Sequence, residues 1–245
     1  MLTSPCRYTL NIKGIPYKTV WVEYPDVEAL CKKIGAPPTG KKPDGAPLYT
    51  LPTIFDPNTS KAVSDSALIV RYLDATYPAA GPTLVPPALD ALLAAFQDAF
   101  MGAAFGTGHL PAVMLPAACG ALKPPSYAYF KATREAMLGP LDELAPAGSE
   151  KRTTHWAGVA KTFGEVIGAG WMGKGPDGKE RLFFMGGDTL CYADVTVAGF
   201  LKCIQKLTTP EEWKNVMSWD NGRWARFMEA FKPFEAEDAG SVVEL

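Results

Sequence analysis

Leu51-Pro52-Thr53-Ile54-Phe55, followed by Asp65 and, fourteen residues beyond the proline, by Ser66, is the stretch whose reading decides the fold. A proline inside a strand has no N–H for the ladder, so it belongs at an edge or bulge, often with a cis bond. Such a bond turns the Leu51 backbone outward, free to pair with an extended peptide. Tyr49 to Phe55 and Lys61 to Ser64 read as short strands around the turn Asp56-Pro57-Asn58-Thr59-Ser60, a β-hairpin. Ser66 then opens a helix through Tyr77, with apolar residues at 69, 70, 73 and 77, and Pro78 stops it. At that helix start Ser66 offers a hydroxyl and a backbone N–H to a carboxylate, and Asp65 can take an ammonium. The unit suits a short peptide carrying both an α-amino and an α-carboxyl group at one end.

Before the hairpin, Arg7 to Ile12 reads as the last turns of a helix. Ile15 to Tyr24, aromatic and β-branched, reads as a strand, and Gly35 to Pro47 as an exposed, mobile loop. Beyond it, Ala79 to Pro87 reads as a linker. Helical patterns then run through Leu89 to Phe105, Ser126 to Leu144, Glu150 to Ile167, Tyr192 to Lys206, Glu211 to Trp219 and Gly222 to Phe231. The expected organisation is a small α/β domain over 1–78, an all-helical domain over 88–234 and a flexible acidic tail over 235–245. Gly173 to Glu180 nearly spells a phosphate-binding loop, but Glu180 stands where a Ser or Thr would reach magnesium. His109 and His155 have no recognisable partner spacing and read as structural.

The 245 residues carry 24 basic and 26 acidic side chains, 47% of residues are hydrophobic, and the pI is about 5.8. Near-balanced charge argues against nucleic-acid and membrane-surface partners. The start has no apolar signal, and no apolar run approaches the ~20 residues of a membrane span, so a cytoplasmic protein is expected. Five scattered cysteines fit reduced thiols, and with two histidines and no CxxC pair no metal site is expected.

With Leu51-Pro52, Asp65-Ser66, the helix to Tyr77 and the helical half in place, the chain resembles the glutathione transferase family over nearly its whole length. Arg7 to Thr19 and Trp21 to Asp26 are similar to the fungal group called FuA, allied to bacterial β-etherases. Phe183 to Thr189 with Tyr192-Ala193-Asp194 resembles the segment that starts the family's central second-domain helix. There Cys191 replaces the usual Ser/Thr cap, which predicts a weak cap. The resemblance implies a thioredoxin-like N-terminal domain, glutathione as co-substrate and a homodimer. It puts the glutathione cysteine on the Leu51 backbone at the Pro52 bend and the γ-glutamyl end on Asp65 and Ser66. Lys41 and Lys42 are candidates for the glycine carboxylate. Phe96 and Phe100, within an otherwise core-facing stripe on the first helix of the second half, and Tyr127 further along are candidates for a hydrophobic substrate pocket.

One departure bears on catalysis. Only Met1-Leu2-Thr3 precedes Ser4-Pro5, so the family's first strand is expected to be missing and the thioredoxin-like domain incomplete. Backbone groups left unpaired by such a gap cost about 1–3 kcal/mol each if buried, unless another segment fills it. Ser4 is the candidate to donate to the glutathione sulfur and favour the thiolate. Cys6 is the rival: as an exposed thiol at a helix start it implies thiol-disulfide chemistry, and a plain packed thiol is the commoner reading. The expected function is attack of the glutathione thiol on hydrophobic or aromatic electrophiles, aryl ethers included; a non-catalytic binder of aromatic compounds is the alternative.

Overall fold

Pro5–Ile12 forms helix α1 in the computed structural model, which describes residues 5–236 and the backbone of 241–242. Proline suits a first turn, where its missing N–H would have had no partner. Six of the eight residues are buried, because α1 is a wedge with two apolar sides. Tyr8 and Ile12 enter the main core, while Cys6 and Leu10 pack against Ile69 and Leu73 of α3 (Ser66–Thr76). The start of α1 also rests on Gly199 of α8 (Tyr192–Leu207), where a Cβ would stand 2.9 Å from the Pro5 ring.

Burial alternates from Ile15 to Val20 as in a strand, but only β1 (Val20–Trp21) enters a ladder, and Pro25 turns the chain through a 3-10 turn into α2 (Val27–Lys33). The loop predicted over 35–47 contains a small antiparallel hairpin, β2 (Gly40–Lys41) with β3 (Pro47–Leu48). The predicted hairpin follows as β4 (Thr53–Asp56) and β5 (Lys61–Ser64), antiparallel, in the register Thr53↔Ser64 to Asp56↔Lys61. Its turn is pinned to α3 by Tyr72 and Tyr77, whose hydroxyls donate to Asp56 Oδ2 at 2.5 and 2.6 Å. A further strand, β6 (Ser241–Val242), runs parallel to β1 with Val20 opposite Ser241.

The stretch predicted as a linker is a clamp. Leu84 and Val85 are buried, and their N–H groups donate to Asp74 Oδ2 at 3.0 and 2.8 Å. Asp74 Oδ1 accepts from Lys13 Nζ at 2.8 Å, and both partners are buried. At Gly81 the backbone has φ +59°, and a Cβ would stand 2.6 Å from Lys13 Cα. Only glycine closes this turn so near α1.

The helical half comprises α4 (Asp90–Phe105), α5 (His109–Gly120), α6 (Pro124–Leu138), α7 (Glu150–Lys161), α8 and α9 (Pro210–Phe231). Helix α5, which carries Pro111 in its first turn and Pro116 in its interior, is absent from the sequence reading. Helix α7 continues as π-helical turns over Thr162–Met172, and α9 breaks at Trp219–Gly222, the boundary expected between two helices. Pro87–Phe105 has the length and apolar composition of a membrane span, against the expectation that no such run exists. Here it packs one face, Leu93, Phe100 and Ala104, into the bundle and leaves Leu92 and Met101 exposed.

Helix α8 is buried almost all round from Tyr192 to Gly199. Its N-terminus is closed by Asp194, which accepts from the backbone N–H of Cys191 and of Phe184, each at 2.9 Å. The cap expected to be weak is thus held from its acidic side and ties down the preceding loop. Burial pushes the Asp194 carboxyl up to about 6 from 3.8, against the pull of these hydrogen bonds. The folded protein therefore holds this proton more tightly than the unfolded chain. The associated stabilisation is complete below pH ~4 and lost as pH rises through about 6, on the order of 3 kcal/mol. Thermal melts of the wild-type chain and Asp194→Asn should diverge in favour of wild type between pH 7 and pH 5; a constant gap would remove this assignment.

Candidate functional site

The start of α3 and the bend before β4 are one structure. Asp65 N donates to Pro52 O at 3.2 Å, so the residues singled out around Leu51 and those around Ser66 are joined directly. Asp65 caps α3: its Oδ1 accepts from Ala67 N at 2.8 Å and Leu68 N at 3.1 Å. It does so at φ +79°, ψ 128°, a conformation rare for a residue with a side chain and costing on the order of 1–3 kcal/mol. Strained backbone of this kind collects at ligand sites.

The Leu51–Pro52 peptide bond is cis. Leu51 is 47% exposed, and among the described residues no backbone group pairs with its N–H or C=O. Behind it, Thr53 Oγ1 donates to Thr50 O at 3.2 Å and shares a hydrogen bond with Ser64 Oγ at 2.9 Å, which braces the bend against β5. Ser66 is half-buried in the first turn of α3, where orphan N–H groups and the helix dipole favour an anion. The result is an open peptide edge at one end and, at the other, a helix start that carries the Asp65 carboxylate beside Ser66.

The other candidates divide. Lys41 is exposed on β2, and Lys42 Nζ is held at 2.8 Å by Glu28, which also takes Lys32. Hydrogen bonds from Lys32 and Lys42 hold the Glu28 carboxyl down to about 2. Lys42 already has an anion, so binding a second carboxylate requires leaving or sharing it. Ser4 lies outside the described residues.

Cys6 requires correction: it is buried, not exposed, and burial pushes its thiol up to about 12 although Arg7 pulls it down. A thiol so disfavoured as thiolate is a poor nucleophile for disulfide exchange.

Tyr192 is a residue that sequence reasoning placed only in the α8 cap segment. Among the described residues its buried hydroxyl has no partner at hydrogen-bonding geometry. Burial pushes its phenol up to about 12, the Ser66 hydroxyl pulls it down, and the Asp65 charge raises it. The phenol, carried by the second half of the chain, thus feels both Asp65 and Ser66. Nothing local to 51–66 could have signalled it.

In the helical half, Phe100 is a correction. It is wholly buried against Phe96 and Phe200, so it is core and not a pocket wall. Phe96 is half-buried and meets Trp171 and Phe184 edge-on at 5.4 and 4.6 Å. Trp171 had no place in the sequence reading, and Phe184 stood there only in the segment leading to the central helix. Tyr127 is 40% exposed on α6. Its neighbours Tyr129 and Phe130 pack against Tyr24, and Ser126 Oγ accepts from Tyr24 N at 2.8 Å, so this face of α6 joins the two halves. His109 and His155 are partners of each other, Nδ1 to Nδ1 at 3.1 Å. Among the described residues no three His, Cys, Asp or Glu side chains gather as a ligand set.

Comparison with known proteins meets this geometry. Residues 3–76 match the glutathione S-transferase N-terminal domain, and residues 91–234 match the glutathione S-transferase C-terminal domain. A glutathione S-transferase-like protein of Aspergillus flavus, ustS, is 34% identical over 226 residues, which is 89% of this chain and 78% of that protein. A glutathione S-transferase of Ceriporiopsis subvermispora, solved in complex with glutathione, is 46% identical with a TM-score of 0.89 over 97% of this chain and 93% of its own. Glutathione transferase GSTFuA3 of Phanerochaete chrysosporium is 40% identical with a TM-score of 0.84, over 98% and 93% of the two chains. A thioredoxin-like half with few strands, a helical half and two domain matches that together span most of the sequence lead to one conclusion: the chain belongs to the glutathione S-transferase family.

Proposed function

We propose that this protein binds glutathione along the Leu51–Pro52 bend and the start of α3 and activates its thiol for attack on hydrophobic or aromatic electrophiles. The observation that carries the reading is the Asp65 N to Pro52 O hydrogen bond, which holds an open backbone edge and a charge-paired helix start at fixed separation. Leu51 pairs with the cysteinyl backbone, Ser66 and the α3 N–H groups take the γ-glutamyl carboxylate, and Asp65 takes its ammonium. Lys41, free of the Glu28 pair that holds Lys42, is the better candidate for the glycine end. Two similar structures from Ceriporiopsis subvermispora were solved in complex with glutathione, which supports this assignment.

In the reaction, the sulfur forms a bond to the electrophilic carbon as a halide or aryloxide departs, and the thiol proton passes to solvent. Ser4 is assigned to stabilise the thiolate by donating a hydrogen bond. Phe96, Trp171 and Phe184 supply an aromatic surface for the electrophile, aryl ethers being the finer choice. The exposed apolar face of α4, with Leu92 and Met101, suits a homodimer. All five cysteines are unbridged, which suits the cytoplasm.

Purified protein given glutathione and a model aryl halide should form the thioether, and Ser4→Ala should cut the rate at least tenfold with little change in glutathione affinity. No heat on adding glutathione, together with no conjugate, would remove the reading.

A further inference from the structure

We propose that the C-terminal segment is a working strap of the N-terminal domain: its strand pairs with β1, and the glutathione site depends on it. The dependence on glutathione rests on the function proposed above; the strand itself does not.

The chain leaves α9 at Phe231 and makes a 3-10 turn over Lys232–Phe234 against α1. Both hydrogens of one side-chain amide then hold it, since Asn11 Nδ2 donates to Phe234 O at 2.7 Å and to Ala236 O at 2.9 Å. The Tyr17 hydroxyl donates to Ala236 O at 3.3 Å. Glu235 is gripped from two elements, by the Tyr8 hydroxyl at 3.3 Å from α1 and by Lys202 Nζ at 2.8 Å from α8. Past these anchors, Ser241–Val242 lies parallel to Val20–Trp21.

The anchors explain how so short a ladder persists. A two-residue strand pair has almost no stability of its own, and a parallel pair needs a crossover connection. Here the two strands are joined through the rest of the chain, and Asn11, Tyr17, Tyr8 and Lys202 hold that chain as far as Ala236. An uncovered β1 would be an open edge with unpaired backbone groups. Because α1 carries the anchors on one side and packs on α3 on the other, the strap bears on the helix whose first turn forms the site.

Two experiments on the full chain decide this. Val20 and Ser241 are register partners in a parallel pair, and the spacing of neighbouring strands lies within the reach of a disulfide. The variant Val20→Cys/Ser241→Cys should close an intramolecular disulfide under mild oxidation, which neither single variant does. The variant Ser241→Pro/Val242→Pro removes both β6 donors. It should speed amide exchange at Val20 and Trp21 at least tenfold, leave exchange in α8 unchanged and weaken glutathione binding at least threefold by calorimetry. A cysteine pair that stays reduced, or a proline variant with unchanged exchange at Val20 and Trp21, overturns the strap. Exchange that accelerates while glutathione affinity is retained overturns its link to the site. A wild-type chain that binds no glutathione removes the function proposed above, and the cross-link and exchange still judge the strand.

Discussion

Asp65→Ala is expected to weaken glutathione binding at least tenfold and to lower the melting temperature in the same variant. The side chain has two duties. It caps α3 through Ala67 N and Leu68 N, and losing a cap of this kind costs about 1 kcal/mol, up to 2. It also faces the proposed γ-glutamyl ammonium, and a charge-assisted hydrogen bond contributes about 1.5–3 kcal/mol, or roughly 10- to 150-fold in affinity. Asp65→Asn separates the duties, because asparagine caps as well as aspartate but carries no charge. It should retain the melting temperature and still bind glutathione at least tenfold more weakly. Ser66→Ala loses one hydroxyl and should cost only severalfold. Calorimetry and thermal melts on the three variants check the pattern, and an Asn variant that binds as tightly as wild type would remove Asp65 from the site.

The largest stability loss is expected at Asp74→Ala. That change strands the Lys13 ammonium, whose side chain is 1% exposed, and removes the acceptor of two buried N–H groups at Leu84 and Val85. Breaking a buried ion pair from one side costs about 3–5 kcal/mol, because the remaining charge is left without compensation. Chemical denaturation should show a loss of that size, and exchange should rise first over Leu84 and Val85. Lys13→Met/Asp74→Leu removes both charges and should recover part of the loss. A single variant within 1 kcal/mol of wild type would show that this clamp carries no weight.

The glutathione-binding reading could be drawn from 51–66 because its signals are local. A proline excluded from a ladder, a turn of Asp-Pro-Asn and an Asp-Ser pair before apolar residues at helical spacing all act within a few residues of themselves. The hairpin strand Lys61–Ser64 and α3 follow the pattern closely. Misreadings occur where the deciding partner is distant. Residues 79–87 have linker composition, yet Asp74 and Lys13 bind them down. Phe96 and Phe100 are one turn apart on the same helix, but Phe200 buries one of them and leaves the other at an aromatic edge. Cys6 looks exposed at a chain start, and α3 covers it.

By itself the amino-acid sequence determined the hairpin, the capped helix start and the two-part organisation, since steric, turn and capping preferences are written residue by residue, and its resemblance to known sequences pointed to the family. Only the tertiary structure decided that the Tyr192 phenol is buried within the influence of Asp65 and Ser66, that Cys6 is shut away from solvent and that the last strand lies on β1. Helical or alternating periodicity names the face a residue occupies and not what will be set against it. That choice is made by segments some 60 to 220 residues away, whose burial and hydrogen bonds count only once the chain has closed on itself.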